Sequence, residues 1–149
     1  MLVLGSLPGE QSLARQQYYA HPQNQFWRLI GAVIGDDALP ARPYADRLAA
    51  LDAAGVGLWD VIRSATRVGS LDTAIRDHEA HALADFAATL PNLRTIAFNG
   101  GKASAIGRKQ LDHDSGYALI TLPSSSPAFT MAFERKLEAW IGLTAFLVP

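Results

Sequence analysis

Four short stretches hold the side chains of this chain that can do chemistry. Tyr18-Tyr19-Ala20-His21-Pro22-Gln23-Asn24-Gln25-Phe26-Trp27 gathers two phenols, an imidazole and an amide in one run. Gly5-Ser6-Leu7-Pro8-Gly9, Asn99-Gly100-Gly101 and Leu122-Pro123-Ser124-Ser125-Ser126-Pro127 are small, polar and turn-forming. The residue types argue against several chemistries. With no cysteine there is neither a thiolate metal site nor a disulfide. Ser124–Ser126 lack the G-x-S-x-G elbow of a hydrolase triad. Asn99-Gly100-Gly101-Lys102-Ala103 is not a phosphate loop: that pattern needs glycine at Ile96 and Ser or Thr at Ala103. His78-Glu79-Ala80-His81 is one residue short of H-E-x-x-H and fits a solvated helix start better than a ligand pair. Trp59-Asp60 ends a strand-like segment. It reads either as a group reaching the sheet rim or as a packed tryptophan with a capping aspartate.

The elements that must position these stretches alternate. Strands are expected over Leu2–Leu7, Val56–Ile62, Arg94–Phe98 and Tyr117–Leu122. Helices are expected over Asn24–Ile34, Tyr44–Ala53, Glu79–Leu90, Gly101–Leu111 and Phe129–Leu147. Phe26, Leu29, Ile30 and Val33 recur at helical spacing, and Phe133, Leu137, Trp140, Ile141 and Phe146 form an apolar stripe expected in the core. Arg63–Leu71 reads as irregular. Alternation of this kind predicts an α/β fold: three layers, α/β/α, around a mostly parallel four-stranded sheet. In a parallel sheet the carboxyl ends of the strands share one edge, where open α/β sheets bind ligands. Three of the Gly/Pro/Ser stretches follow strands, so they should line one rim. Between the first strand and the next clear helix lie roughly 18 residues, against a usual connection of about 2–6. A connection that long, carrying aromatics, an amide and an imidazole, points to function.

The chain has 149 residues, 49% hydrophobic and 18% charged, which fits a single folded domain over residues 1–149. Its apolar start lacks a basic flank and meets Gly-Pro too early for a signal peptide, and no apolar run is long enough to span a bilayer, so a cytoplasmic protein is expected. The net charge of −1 suits a small-molecule enzyme better than a duplex-DNA binder. Backbone amides and helix N-termini can nevertheless hold phosphates, and Lys102, Arg108 and Lys109 fall together on one predicted helix.

G-S-L-P-G followed by Y-Y-A-H-P-x-N-x-F-W resembles the first motif region of the uracil-DNA glycosylase superfamily, most nearly its hypoxanthine (deoxyinosine) branch. Leu122–Pro127 resembles the second motif, Phe98-Asn99-Gly100 supplies a third piece, and the likeness runs from Leu2 to about Pro127. The absence of cysteine sets aside the iron–sulfur branches. The resemblance implies a monofunctional enzyme that flips a deaminated base out of DNA and hydrolyses its N-glycosidic bond. It implies double- or single-stranded DNA as partner, action as a monomer and no cofactor or metal. Members of the family usually have a short segment before the first strand; here the strand begins at Leu2, so either the start is placed late or the segment is absent, and in the second case that edge of the fold is expected to be less stable.

By this likeness Leu7 occupies the place of the catalytic aspartate or asparagine in uracil enzymes, and Leu122 that of a histidine. The hypoxanthine branch takes its catalytic amide from the H-P-x-N segment, here Asn24, whose carbonyl would orient a water and whose dipole would favour a sugar cation. Asn24 also reads as a helix cap, and the two roles are compatible. Tyr19 matches the aromatic that stacks on a flipped base, or is a packing residue. Asn99 would read the base edge, or makes a turn. Gly5, Ser6, Leu7 and Pro8 would complete the base pocket. Ser124, Ser125, Ser126 and Pro127 would enter the minor groove or pin phosphates, or cap the last helix. Two other classes fit the same residues: a uracil or mismatched-thymine glycosylase, and a non-catalytic nucleobase- or DNA-binding module.

Overall fold

The computed structural model describes residues 1–6, 10–61, 82–111 and 115–147. Leu7, Pro8, Gly9, the expected irregular segment Arg63–Leu71, and His78, Glu79 and His81 lie outside the described residues.

Four strands build one sheet: β1 (Leu2–Gly5), β2 (Gly57–Asp60), β3 (Thr95–Asn99) and β4 (Ala118–Leu122). Their order is β2-β1-β3-β4 and every pairing is parallel. The helices are α1 (Glu10–Arg15), α2 (Phe26–Ile34), α3 (Tyr44–Ala53), α4 (Ala82–Ala88), α5 (Gly101–Lys109) and α6 (Phe133–Ile141), with short 3-10 turns at Leu39–Ala41 and Gly142–Phe146.

Strand alternation divides the core into two layers. Val3 and Ala97 face Phe26, Leu29, Ile30, Val33, Trp140 and Leu143. Leu2, Leu4, Ile96 and Phe98 face Leu83, Ala87, Leu93 and Ala103. Helices α2 and α6 therefore cover one face of the sheet, and α4 and α5 the other. This is the expected three-layer α/β/α architecture. With both faces covered, β1 and β3 are buried along their whole length.

Three elements differ from expectation. The long connection after β1 contains a helix, α1, where none was expected. The last helix starts at Phe133 rather than Phe129, because Trp140 and Lys136 hold the preceding loop by its carbonyls at Pro123 and Ser126. Its stripe is only partly core. Trp140 is buried, but Ile141 is 43% and Phe146 41% exposed. Ile141 lies about 100° around the helix from Trp140, and the chain tightens to a 3-10 turn at Gly142 before Phe146 can turn inward.

Candidate active site

The strand order reverses between β1 and β3, and a crevice opens there beyond the carboxyl ends of the strands. It is a cavity of about 310 Å³, lined by Gly5, Ser6, Ser12, Tyr18, Tyr19, His21, Asn24, Asp60, Asn99 and residues 124–127. The three loops expected on one rim do meet there, from Gly5-Ser6, Asn99 and Ser124–Pro127.

Ser125 lies at the centre of this arrangement. Its hydroxyl accepts from Asn99 Nδ2 at 2.9 Å and donates to Asn24 Oδ1 at 2.8 Å. Its N–H donates to Asn99 Oδ1 at 2.9 Å, and its carbonyl accepts from Gln25 N at 3.0 Å. It is 1% exposed. Ser125 thus has its hydroxyl, N–H and carbonyl engaged within the protein, and it ties together three segments of the chain. Gly100 makes this approach feasible. Its φ is +103°, which suits glycine, and a Cβ there would come within 3.2 Å of Ser124 Cβ.

Asn24 has a definite orientation. Its Oδ1 accepts from Phe26 N at 2.9 Å as well as from Ser125, and a backbone N–H can only donate, so the oxygen must face it. Both lone pairs of that oxygen are filled. No described residue accepts from Nδ2, so Asn24 offers the cavity a donor rather than an acceptor. Asn24 also helps start α2, one residue before the cap position Gln25, whose own side chain makes no cap bond. Asn99 is buried with both ends of its amide spent on Ser125. Its tie across the rim leaves little of it for reading a base.

Tyr19 is half-buried, with φ of +54°, a strained backbone for a tyrosine. Its ring stacks on fully buried Phe26, centroids 3.9 Å apart and planes 20° apart. Burial raises the phenol pKa well above its ordinary value, with the Asn99 amide beside its oxygen pulling the other way. Phe26 was legible as a core residue; its place as the floor beneath Tyr19 was not.

Asp60 stands opposite Gly5 in the β1–β2 register. Its carboxyl has no hydrogen-bond or ion-pair partner among the described residues, and burial raises it from 3.8 to about 6. Gly5 makes room for it: a Cβ there would meet Asp60 Oδ1 at 2.7 Å and the Tyr19 hydroxyl at 3.0 Å. Trp59, its neighbour, is a packing residue stacked on Phe86.

Around the mouth, Ser124 Oγ accepts from Ser126 N at 3.1 Å and Ser126 Oγ from Ala128 N at 3.2 Å, so both hydroxyls keep their own hydrogens to donate. Lys136 supports the turn from below. It is 1% exposed, donates to Ser126 O at 3.2 Å, and its pKa is lowered by burial. Phe129 and Met131, just past Pro127, are exposed apolar side chains. His21 lines the cavity, and its Nδ1 accepts from Gln23 N at 3.1 Å in a local turn.

The profile of the uracil DNA glycosylase superfamily matches residues 1–144. The chain belongs to that superfamily. Two curated relatives, from Methanosarcina barkeri and Methanosarcina acetivorans, are each 39% identical over 140 residues, covering 94% of this chain and 87% of the relative; both are named hypoxanthine DNA glycosylase. A solution NMR structure of a candidate uracil DNA glycosylase from Methanosarcina acetivorans superposes with a TM-score of 0.80 at 37% identity, over 97% of this chain and 88% of that one.

Within the superfamily pattern, Leu122 is a core residue, 2% exposed, with no access to the cavity. Gly5 and Ser6 line the cavity as expected from their loop, while Leu7 and Pro8 fall outside the described residues. Lys102, Arg108 and Lys109 do share α5, but Arg108 folds back, donating to Ser104 Oγ on the same helix at 2.8 Å and to Thr121 Oγ1 on β4 at 3.1 Å. Among the described residues no cluster of His, Asp or Glu is placed to hold a metal, and no helix is long and apolar enough to cross a membrane.

Proposed function

We propose that this chain is a monofunctional DNA glycosylase that hydrolyses the N-glycosidic bond of a flipped, deaminated base, with hypoxanthine from deoxyinosine as its first substrate. The observation that carries this reading is the cavity at the β1/β3 switch, in which an oriented Asn24 amide, Asp60 and Tyr19, stacked on Phe26, converge. Relatives named for hypoxanthine release support the choice of base.

The reaction asks little covalent work of the protein. As the bond from sugar C1′ to the base lengthens, the sugar becomes cationic and the base takes the electron pair. Water then adds to C1′. Fixed donors aimed at the departing base stabilise its charge without reorganising. Asn24 is the proposed catalytic residue. Its oxygen is filled by Phe26 N and Ser125 Oγ, so its Nδ2 hydrogens are what it gives the reaction. Their natural target is the charge growing on the base, a different role from orienting water through the carbonyl. Tyr19, backed by Phe26, gives the flipped base an aromatic surface, and Gly5 and Ser6 close the pocket beside it. Ser124, Ser126 and Pro127 surround the mouth, where two free hydroxyl hydrogens suit phosphate oxygens. On this reading residues 1–149 act as one domain and as a monomer, on damaged DNA, without a cofactor.

The test is release of free base from duplexes that differ only in carrying one hypoxanthine, uracil or xanthine. Hypoxanthine should leave fastest. Faster uracil release would make the chain a uracil enzyme. Binding to these duplexes without release of any base would make it a non-catalytic module.

A further inference from the structure

Asp60 brings into the cavity a carboxyl that no described residue engages. Its surroundings come from three elements. On β1, Gly5 offers no side chain, and the Asp60 Oδ1 occupies the space a Cβ would take. The segment after α1 adds Tyr18, Tyr19 and His21, and both phenols have their pKa raised by burial and so stay neutral in the working range. On its own strand, Trp59 packs against Phe86. Among the described residues no cation contributes to its ionisation, and desolvation by burial is the cause that raises it. A carboxyl largely desolvated, with neutral phenols beside it and no counter-charge among the described residues, is the arrangement by which proteins hold an acid protonated near neutral pH.

Asp60 also lines the cavity from a different strand than the one the serine turn follows. The half-buried serines and exposed Pro127 ring the mouth, and the Asn24 amide is tied to that ring through Ser125. Asp60 lies across the cavity at the far edge of the sheet, on β2. A nucleotide entering by the serine turn would set its base between the Asn24 amide and Asp60, both of which line the cavity.

Building on the glycosylase reading above, we infer that Asp60 is a second catalytic residue, the general acid that protonates a departing purine. As the C1′–N9 bond breaks, its electron pair passes to the base. The Asp60 carboxyl gives its proton to the base at N7 and becomes a carboxylate, so hypoxanthine leaves neutral. Water bonds to C1′ through its oxygen, its surplus proton passes to solvent, and solvent returns a proton to Asp60. The net change is one water consumed, with an abasic sugar and a free base formed. A six-membered pyrimidine ring has no N7, so this acid favours purines over uracil.

The experiment is single-turnover base release between pH 5 and 8.5, corrected for enzyme-free depurination. The duplexes carry deoxyinosine or 7-deaza-deoxyinosine, which has carbon where N7 was. The wild type should release hypoxanthine fastest at the acid end and slow by about tenfold per pH unit above the Asp60 midpoint, as for any single-proton donor. Asp60→Asn should flatten that profile and lower the acid-end rate by about 10²–10⁴. Asp60→Glu should restore part of the slope. The 7-deaza duplex should be cleaved slowly and without pH dependence by both proteins. If Asp60→Asn keeps the wild-type pH profile, or the wild type cleaves both duplexes equally well, Asp60 is not the acid, and the glycosylase reading still stands. A wild type that releases no base from any duplex overturns the glycosylase reading and the acid with it.

Discussion

Replacing Asp60 by asparagine should make the free protein more stable, by an amount that depends on pH in a defined way. Burial raises this carboxyl from 3.8 to about 6 in the fold. Each pKa unit corresponds to about 1.4 kcal/mol, so keeping Asp60 ionised in the native protein costs about 3 kcal/mol once the pH is above both values. The sign follows from proton binding. Between pH 3.8 and about 6 the native state holds more of this proton than the unfolded chain does. Stability from this group therefore falls as pH rises through that window and stays low above it. Asparagine keeps the shape and carries no charge, so the variant escapes the penalty. Urea unfolding of both proteins from pH 4 to 8 reads the effect. The variant should be more stable by up to about 3 kcal/mol at pH 7.5, with the gain shrinking toward zero near pH 4. Any loss of stability at pH 7.5, or a difference that does not change with pH, would refute the claim that desolvation governs Asp60. A carboxyl with no partner among the described residues, held at such a cost, fits a site selected for chemistry rather than for stability.

Gly5→Ala should fold, because the atom in the way belongs to a side chain that can swing aside, but it should displace Asp60 and the Tyr19 hydroxyl and slow base release with little loss of DNA affinity. Asn24→Ala should cut base release by about 10²–10³ per folded molecule; a loss of about 1 kcal/mol in stability with unchanged turnover would leave Asn24 only a helix-start role. Asn24→Ser sharpens that comparison, since serine can still accept from the start of α2 but cannot offer Nδ2. Ser125→Ala should slow release by about tenfold, and in an Asn24→Ala background it should cost almost nothing more, the signature of a residue acting through another; equal losses in both backgrounds would give Ser125 an independent role. Base release should survive EDTA, and loss on chelation with recovery on adding zinc would point instead to the histidines at 21, 78 and 81.

Much of the fold follows from periodicity. The apolar strands around Leu2–Leu4 and Ile96–Phe98, and the helical spacing of Phe26, Leu29, Ile30 and Val33, are local patterns, and local patterns survive into the tertiary structure. Loop placement was legible for the same reason: parallel strands put their carboxyl ends on one edge, so the turns at Gly5, Asn99 and Ser124 had to meet. The motif around Asn24 likewise marked the family from sequence alone. What each side chain does there was decided only by contacts distant in sequence. Ser125 and Asn24 are 101 residues apart, and their 2.8 Å bond, with Phe26 N on the same oxygen, turns Asn24 from an acceptor into a donor. Asn99 looks like a base reader until Ser125 takes both ends of its amide. Asp60 was ambiguous between a cap and a rim group because its pKa depends on what surrounds it, and the register that sets it against Gly5 is fixed by strand pairing. Chain order encodes which residues can reach the rim. Desolvation and hydrogen-bond saturation, which assign their roles, arise only when distant segments close around them.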